Sequence, residues 1–335
     1  SIHEDNSISV FDDGRGIPVD IHPQKQIPAV ELVFTTLHAG GKFGDADSSY
    51  TVSGGLHGVG ASVVTALSDE LTVNVHQGGK IYEQKYCRGH KVVELTVIGE
   101  TDKVGTYVHF KPDSSIFETT EYDYKTLATR LQETAFLTKG LRITLTDLRG
   151  SQEIQNEYCY EGGIKEFVAY MNEDKDTIVD TIFYCDEASN DVNVEIAFQY
   201  TDAYTESVVS FVNNINTIDG GMHVVGFRSA LTRGVNDYVK RNNLLKDSKL
   251  TGEDIREGLS AIISVKLREP QFEGQTKGKL GSTEARTAVD AVFYKHLDYF
   301  LEENPSVAKA IVEKAVIAQR ARESAKKARD LVRRK

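Results

Sequence analysis

The sequence Asp12-Asp13-Gly14-Arg15-Gly16-Ile17-Pro18 follows an alternating apolar segment at residues 7–11, which predicts a β-strand that delivers Asp12 at its end. A carboxylate in that position can accept a hydrogen bond from an exocyclic amine, such as the N6 amine of adenine. Gly14 and Gly16 permit positive φ and the close approach of a ring. Taken alone, this stretch is more simply explained as a polar turn.

A second glycine-rich stretch, Gly54-Gly55-Leu56-His57-Gly58-Val59-Gly60, runs into the apolar, helix-compatible segment 61–67. Glycines let backbone N–H groups converge on phosphate oxygens, and the start of a helix adds partial positive charge. The stretch is not a Walker loop, because no Gly-Lys-Ser/Thr follows, and no clear strand delivers it as a dinucleotide fingerprint requires. Alone it could be a flexible loop that caps a helix. Together the two stretches predict a nucleotide site, with ATP as the ligand.

A third candidate is Gly274-Gln275-Thr276-Lys277-Gly278-Lys279. A lysine on a glycine-flanked loop can approach a γ-phosphate as a point charge. By spacing alone, a solvated turn is the simpler explanation. The histidines, His38 and His57 among them, show no metal-ligand spacing, so no metal site is predicted from them.

The bulk composition predicts a protein of two ordinary domains. The chain has 335 residues, of which 40% are hydrophobic and 27% charged. No apolar run reaches the roughly 20 residues that span a bilayer, and the start lacks the features of a signal peptide. Three scattered cysteines favour neither a disulfide framework nor a zinc site, so we expect a reducing cytoplasm and no membrane partner.

Charge is distributed unevenly along the chain. The net charge of −11 argues against a general nucleic-acid-binding surface, but residues 320–335 are strongly basic. That end is either a solvated helix face or a local DNA contact. The chain has no initiator Met and ends in a charged helix, so we expect a piece of a longer protein.

Hydrophobic periodicity predicts both strands and helices, with a domain boundary near residues 149–163. Before the boundary we expect helices at 28–38 and 124–137. Thr251 predicts an N-cap, with Asp254 three residues on, and Pro305 predicts a break between the last two helices. The predicted strands are 7–11, 71–75, 80–86, 91–97, 105–110, 141–148, 192–200, 207–215 and 259–265, and the later helices are 164–171, 227–242, 283–300 and 306–334.

Four motifs resemble one family in content and order. They are the stretch 12–18, Leu37-His38-Ala39-Gly40-Gly41-Lys42-Phe43, the stretch 52–60, and Pro270-Gln271-Phe272-Glu273-Gly274-Gln275-Thr276-Lys277. The same set is found in the B subunits of type II DNA topoisomerases, which are those of DNA gyrase and its paralogue topoisomerase IV. The resemblance extends over essentially the whole chain. Histidine kinases, Hsp90 and MutL share only the first and third motifs.

The resemblance implies an α+β protein with two domains. Residues 1–158 are expected to form a GHKL (Bergerat) ATPase fold, a mixed sheet backed by helices, without its N-terminal part. Residues 159–335 are expected to form a transducer domain of the ribosomal-S5-like α/β type, which ends in long basic helices.

The resemblance also implies roles for individual residues. Asp12 would bind the adenine amine, with Thr106 nearby through a water. Gln275 and Lys277 would contact the γ-phosphate and serve catalysis. The base would be flanked by Arg15, Gly16, Ile17 and Pro18, and the phosphates would be covered by Lys42, Tyr50, Gly54, Gly55, Leu56, His57, Gly58, Val59 and Gly60.

The implied function is that of an ATP-binding and transducer region in which ATP closes a clamp on DNA for strand passage and supercoiling. ATP and Mg²⁺ are the implied cofactors. The implied partners are double-stranded DNA, an A-type subunit and a second copy of the B subunit. The family's hydrolytic Glu and Mg²⁺-binding Asn lie upstream of the strand that delivers Asp12, so we expect this chain to lack both. A nucleotide-binding or dimerisation fragment without turnover, and topoisomerase IV, are the alternatives.

This chain departs from the family at one position that bears on inhibitor binding. Family members place an Arg, used by aminocoumarins, just before the Gly-Lys that starts the next strand. A gap-free alignment around Gly79-Lys80 puts Gln77 at that place.

Overall fold

The computed structural model describes residues 1–39, 58–245 and 249–333. The chain forms two compact units. The first comprises Ser1–Gln132 and Arg142–Tyr158, and the second comprises Glu133–Leu141 and Cys159–Lys335.

The first unit is built on a five-stranded sheet in the order β1-β5-β2-β3-β4, and all of its strand pairs are antiparallel. A two-stranded hairpin, β6-β7, accompanies it. The elements are β1 (Ile8–Asp12), α1 (Ala29–Thr35), α2 (Gly60–Ala66), β2 (Ser68–Gln77), β3 (Lys80–Cys87), β4 (His90–Glu100), β5 (Gly105–Pro112), α3 (Tyr124–Leu137), β6 (Ile143–Asp147) and β7 (Ile154–Tyr158). The last five residues of α3, from Glu133, belong to the second unit.

Helix α1 packs on one face of this sheet. Val30 and Phe34, one helical turn apart, are buried against the alternating residues Leu71, Val73 and Val75 of β2. These side chains form the core of the unit. Residues four apart lie on one face of a helix and residues two apart lie on one face of a strand, so the two apolar faces pack together.

A buried carboxylate also fixes α1 to the sheet. Glu31 is only 8% exposed, and its Oε2 accepts hydrogen bonds from Gln84 Nε2 at 3.0 Å and Lys91 Nζ at 3.1 Å. A buried charge is tolerated when it is paired in this way. Helix α1 is therefore fixed to the sheet by apolar packing through Val30 and Phe34 and by the hydrogen bonds of Glu31.

The second unit contains a mixed five-stranded sheet in the order β11-β10-β12-β9-β8. Strands β10 and β12 pair in parallel, and the other pairs are antiparallel. The elements are α4 (Gly163–Met171), β8 (Phe183–Ser189), β9 (Val192–Tyr200), β10 (Ser207–Val212), β11 (Ile215–Asn216), α5 (Met222–Arg241), α6 (Gly252–Arg256), β12 (Leu259–Lys266), α7 (Thr283–Glu303) and α8 (Pro305–Arg333).

The central strands of this sheet are buried on both faces. Alternate residues of β9 and β12, such as Ile196 and Ile263, belong to the large core formed with α5, α7 and α8. The intervening residues Ala197 and Ile262 pack with Phe167 of α4 in a smaller core. The second unit therefore has helices on both sides of its sheet, and the continuous apolar runs of β9 and β12 follow from that.

Most predicted elements are present. The helix at 124–137 and the strand at 192–200 have the predicted bounds, and Thr251 and Asp254 form the predicted capping box at α6. Pro305 begins α8 rather than lying outside it, which suits the first position of a helix. Strands β7 and β8 were not predicted, and the predicted strand 207–215 is divided into β10 and β11.

The basic end of α8 extends beyond the core. Its last buried residue is Ala318, and the later basic residues Lys326, Lys327, Arg329 and Arg333 are exposed. Arg322 differs, because its guanidinium binds both carboxylate oxygens of Asp254 at 2.8 and 2.9 Å. Among the helices in the described ranges, none is both long and apolar enough to cross a membrane.

A buried histidine lies near the start of α5. His223 is 0% exposed, and burial lowers the pKa of its imidazole from 6.5 to about 4. Its Nε2 lies 3.1 Å from Thr217 Oγ1. The imidazole is therefore neutral in the folded protein at neutral pH.

This burial predicts a pH dependence of stability. The unfolded chain takes up a proton at His223 near pH 6.5, whereas the folded chain does so only near pH 4. The contribution of this residue to stability is therefore complete above pH 6.5 and falls by at most roughly 3 kcal/mol as the pH drops to 4. Urea unfolding of the wild type and of His223→Gln across this range measures the difference. Parallel pH curves for the two proteins would contradict the assignment.

Candidate functional site

Asp12 ends β1 opposite Thr106 of β5, which in turn lies opposite Val75 of β2. Residues directly opposite in antiparallel strands project from the same face of a sheet. The next row along the strands is Val10, Val108 and Val73. Asp12 and Thr106 therefore lie on the face that α1 covers, beside a row of valines.

The arrangement offers one polar group beside an apolar surface. Asp12 is exposed, whereas Thr106 is only 4% exposed. Ile17 and Val108 pack at the edge of the core, and Val10 is 55% exposed although it projects from the covered face. A flat ring with an exocyclic amine fits such a surface, since the ring can lie on the aliphatic side chains while the amine reaches the carboxylate.

Val10 and Val108 were missed as candidate residues. The alternation of Ile8, Val10 and Asp12 along β1 was the signal that could have identified Val10. Val108 follows Thr106 by two residues in the same manner. The register between the two strands was the missing information.

The glycines that follow Asp12 serve two different purposes. Gly16 has the predicted positive φ, +80°, and a Cβ there would approach Val75 Cγ1 to 3.2 Å. Gly14 does not use this freedom, since it is not among the glycines with positive φ. Its backbone N–H donates to Asp12 Oδ1 at 2.9 Å, and a Cβ would lie 2.8 Å from that oxygen. Gly14 thus orients the carboxylate. Arg15 and Pro18, on the same turn, are exposed.

Gly105 is a further constraint that the sequence analysis missed. Its φ is +147°, and a Cβ would lie only 1.9 Å from the carbonyl oxygen of Asp12. No other residue fits, because a real Cβ never approaches an oxygen so closely. The only signal in the sequence was a glycine at the first position of the predicted strand 105–110.

Most of the predicted phosphate-binding residues lie outside the described part of the chain: Lys42, Tyr50, Gly54, Gly55, Leu56 and His57. Gly58 is described, with φ +57°, and its carbonyl accepts a hydrogen bond from the His38 N–H at 3.2 Å. Val59 is the N-cap of α2, and Gly60 is its first residue. The first N–H groups of a helix have no partner within the helix, as binding to an anion requires.

Gln275 and Lys277 belong to the second unit. They lie on a tight loop in which the Lys277 N–H donates to Gly274 O at 3.1 Å. Lys277 has an unusual φ of +56° and is half-buried, and burial lowers the pKa of its ammonium group. Gln275 is exposed.

Gln77 ends β2 opposite Lys80, at a turn made by Gly78 and Gly79. It follows His76, whose carbonyl oxygen would lie 3.4 Å from a Cβ on Gly16. This places Gln77 beside the turn that follows Asp12. Within the described ranges, no group of three or more His, Cys, Asp or Glu side chains could hold a metal ion.

Comparison with known proteins gives two family matches that divide the chain. Residues 1–116 match the family described as histidine kinase-, DNA gyrase B- and HSP90-like ATPase. Residues 163–331 match the DNA gyrase B family, which is half of the chain. Curated relatives include the DNA gyrase B subunits of Halalkalibacterium halodurans and of Streptococcus pneumoniae, each 56% identical over the whole of this chain. The chain spans 52% of their length.

Solved structures agree with these matches. The 43K ATPase domain of Thermus thermophilus gyrase B, in complex with an aminocoumarin, is 41% identical, with a TM-score of 0.80 over 98% of this chain and 85% of that one. The topoisomerase IV ATP-binding domain of Francisella tularensis is 32% identical, with a TM-score of 0.78 over 96% and 85%. The ATPase region of Saccharomyces cerevisiae topoisomerase II, at 23% identity, supports the fold alone.

The expected fold class, a GHKL ATPase fold followed by a transducer domain, is thus confirmed, and gyrase B is favoured over topoisomerase IV. The matches cover both halves of the chain, and the position of Asp12 at the end of β1 is consistent with the ATPase family matched by residues 1–116. The chain belongs to the DNA gyrase B family of type II topoisomerase subunits.

Proposed function

We propose that this chain binds ATP, with the adenine at Asp12 and the phosphates at the start of α2. The observation that carries the proposal is the row formed by Asp12 and Thr106 on the covered face of the first sheet. In this proposal residues 1–158 are the ATPase domain and residues 159–335 the transducer.

At the adenine end, the oriented Asp12 carboxylate accepts the N6 amine, and Thr106 assists through a water. The aliphatic surface of Val10, Ile17 and Val108 carries the ring. A carboxylate acceptor favours an amine over a carbonyl at this place, so the site favours adenine over a base with an exocyclic oxygen there.

At the phosphate end, Gly58 to Gly60 supply backbone N–H groups. The other predicted phosphate-binding residues are Lys42, Tyr50, Gly54, Gly55, Leu56 and His57. Lys277 and Gln275 contribute from the transducer by binding the γ-phosphate. The partial burial of Lys277 supports this role, because a less hydrated ammonium gives up less solvation when it meets an anion. Mg²⁺ would neutralise phosphate charge when bound. The resemblance places the Mg²⁺ ligand and the general base before β1, so we assign neither role to a residue of this chain.

For the whole protein, we propose ATP-driven clamp closure in DNA supercoiling. The partners are double-stranded DNA, a gyrase A-type subunit and a second B subunit. The exposed basic end of α8 supports a DNA contact, since exposed cations such as Lys326, Lys327, Arg329 and Arg333 are available to phosphates. The free thiols of Cys87, Cys159 and Cys185 fit a reducing cytoplasm. A nucleotide-binding or dimerisation role without turnover is the second candidate.

Replacing Asp12 by Asn tests the adenine site. The substitution removes a charged acceptor and can present a donor to the amine, so ATP and ADP should both bind at least about tenfold more weakly. Calorimetric titration measures both affinities. Asp13→Asn, a change of the same kind at the adjacent exposed carboxylate, is the matched control. Equal affinities for the Asp12 variant and the wild type would disprove the assignment.

Replacing Lys277 by Ala tests the γ-phosphate contact. A non-hydrolysable ATP analogue should bind about tenfold more weakly, whereas ADP binding should be unchanged, because only the analogue offers a γ-phosphate. In a longer protein that hydrolyses ATP, the same change should abolish hydrolysis. Lys279→Ala, which removes a lysine paired with Glu273 on the same loop, serves as the control. An equal loss for both nucleotides would contradict a γ-phosphate role.

Gln77 predicts weak binding of aminocoumarins, the inhibitor class bound to the Thermus thermophilus domain. An amide offers one neutral donor group where a guanidinium offers a charged, planar fork. Gln77→Arg should therefore tighten aminocoumarin binding by about 10- to 150-fold and leave ATP affinity unchanged. Gln77→Lys, which adds the charge without the fork, should gain less. Tight binding by the wild type would show that Gln77 does not occupy that place.

A further inference from the structure

The loop that carries Lys277 is held by the turn that precedes α5, residues 217–221. The Asp219 N–H donates to Gly278 O at 2.9 Å, and the Leu280 N–H donates to Gly220 O at 3.1 Å. The Met222 N–H returns a bond to Leu280 O at 2.9 Å. Two backbone hydrogen bonds from the turn, and a third from the first residue of α5, thus hold the residues that follow Lys277.

The two segments touch so closely that neither can shift independently. Gly221 has a φ of +137°, and a Cβ on it would lie 2.4 Å from Leu280 N and 2.5 Å from Leu280 O. A Cβ on Gly278 would likewise lie 2.7 Å from Asp219 Oδ2. The position of the turn therefore determines the position of the loop.

A buried chain of three polar side chains ties this turn to strand β10. Ser210 is 4% exposed, Thr217 is 2% exposed and His223 is 0% exposed. Thr217 Oγ1 lies 3.0 Å from Ser210 O, 2.6 Å from Ser210 Oγ and 3.1 Å from His223 Nε2. One hydroxyl, that of Thr217, is thus shared by the sheet and by the first turn of α5.

The proton positions in this chain follow from the partners. Ser210 O can only accept, so the single hydroxyl proton of Thr217 is donated there. His223 Nε2 then donates to Thr217 Oγ1, and the Ser210 hydroxyl donates either to Thr217 Oγ1 at 2.6 Å or to the Thr217 carbonyl oxygen at 3.2 Å. The network assigns the neutral His223 ring the tautomer protonated at Nε2, in agreement with its lowered pKa. Its Nδ1 is a buried acceptor with no hydrogen-bond partner within the described structure.

The hydrogen bonds among Ser210, Thr217 and His223 depend on direction, whereas apolar packing does not. Apolar side chains of the same volume would fill the space at lower desolvation cost, but they would tolerate small displacements of the turn. Hydrogen bonds of fixed length and direction allow one placement of residues 217–221 against β10.

We propose that Thr217 and His223 are positioning residues that fix the loop of Lys277 through the 217–221 turn. This inference rests on the γ-phosphate role proposed for Lys277. Neither residue touches the nucleotide, and both act through backbone bonds to Gly278 and Leu280.

The first test is hydrogen exchange of the amides of Asp219, Met222 and Leu280 in residues 1–335, without nucleotide. Thr217→Val keeps the shape of the side chain but removes the hydroxyl. It should lower the protection of these amides about fivefold to tenfold relative to the slowest amides of β12. Thr217→Ser, which keeps the hydroxyl, should leave protection within about twofold. Unchanged protection in Thr217→Val overturns the inference.

A matched control separates positioning from general loss of stability. Ser260→Ala removes one buried hydrogen bond of the same unit, from Ser260 Oγ to Asn172 Oδ1 at 2.7 Å, which does not involve the turn. It should change the three amides no more than those of β12. His223→Gln retains a donor for Thr217 and should preserve protection, whereas His223→Leu should lose it. Equal behaviour of these two variants overturns the role of His223.

The second test uses the ratio of the affinities for a non-hydrolysable ATP analogue and for ADP. Thr217→Val should reduce this ratio in the direction of Lys277→Ala, whereas Ser260→Ala should leave it unchanged. If Thr217→Val loosens the loop but Lys277→Ala leaves the ratio unaltered, the γ-phosphate role of Lys277 fails and the positioning of the loop is still supported. The inference is overturned if Thr217→Val loosens the loop and Lys277→Ala changes the affinity ratio, but Thr217→Val leaves that ratio unchanged.

Discussion

The pairing of β1 with β5 at Asp12 and Thr106 is the contact on which the site in the first unit depends. It sets which face carries the carboxylate and which valines lie beside it. A slip of one residue would turn Asp12 to the other face of the sheet, away from α1. Gly105 protects this register, because its missing side chain lets β5 approach the carbonyl group of Asp12. The site thus owes its geometry to a residue with no functional group.

The second unit also contains a close backbone contact that only a glycine permits. At Gly221 the absence of a side chain lets the turn before α5 approach Leu280, and the neighbouring polar chain fixes where that turn lies. In both units a close backbone contact brings two segments distant in sequence together. In both, the group proposed to meet the nucleotide lies within a few residues of that contact, Asp12 in one and Lys277 in the other.

Sequence patterns predicted the elements that carry a hydrophobic period. Strands β9 and β12 were found because both of their faces are buried, and the capping box at Thr251 was found because it is local. Strands β7 and β8 were missed, since β7 is Ile-Gln-Asn-Glu-Tyr and β8 carries Asp186 and Glu187. Such strands form because a partner strand offers hydrogen bonds, which no local pattern reveals. Asp12 was predicted from its place at a strand end, whereas Val10, Val108 and Gly105 needed the register between strands.

The last turns of α8 are not stabilised by packing against the core of the second unit. Beyond Arg322, which still binds Asp254, the described residues 323–333 are all exposed, so their helical state depends on their own charges. Arg329 lies three residues from Lys326 and four from Arg333, and like charges at those spacings repel. Opposite charges at the same spacing, such as Glu323 with Lys327 and Lys326 with Asp330, attract, so the helical content of residues 323–333 is expected to depend on ionic strength.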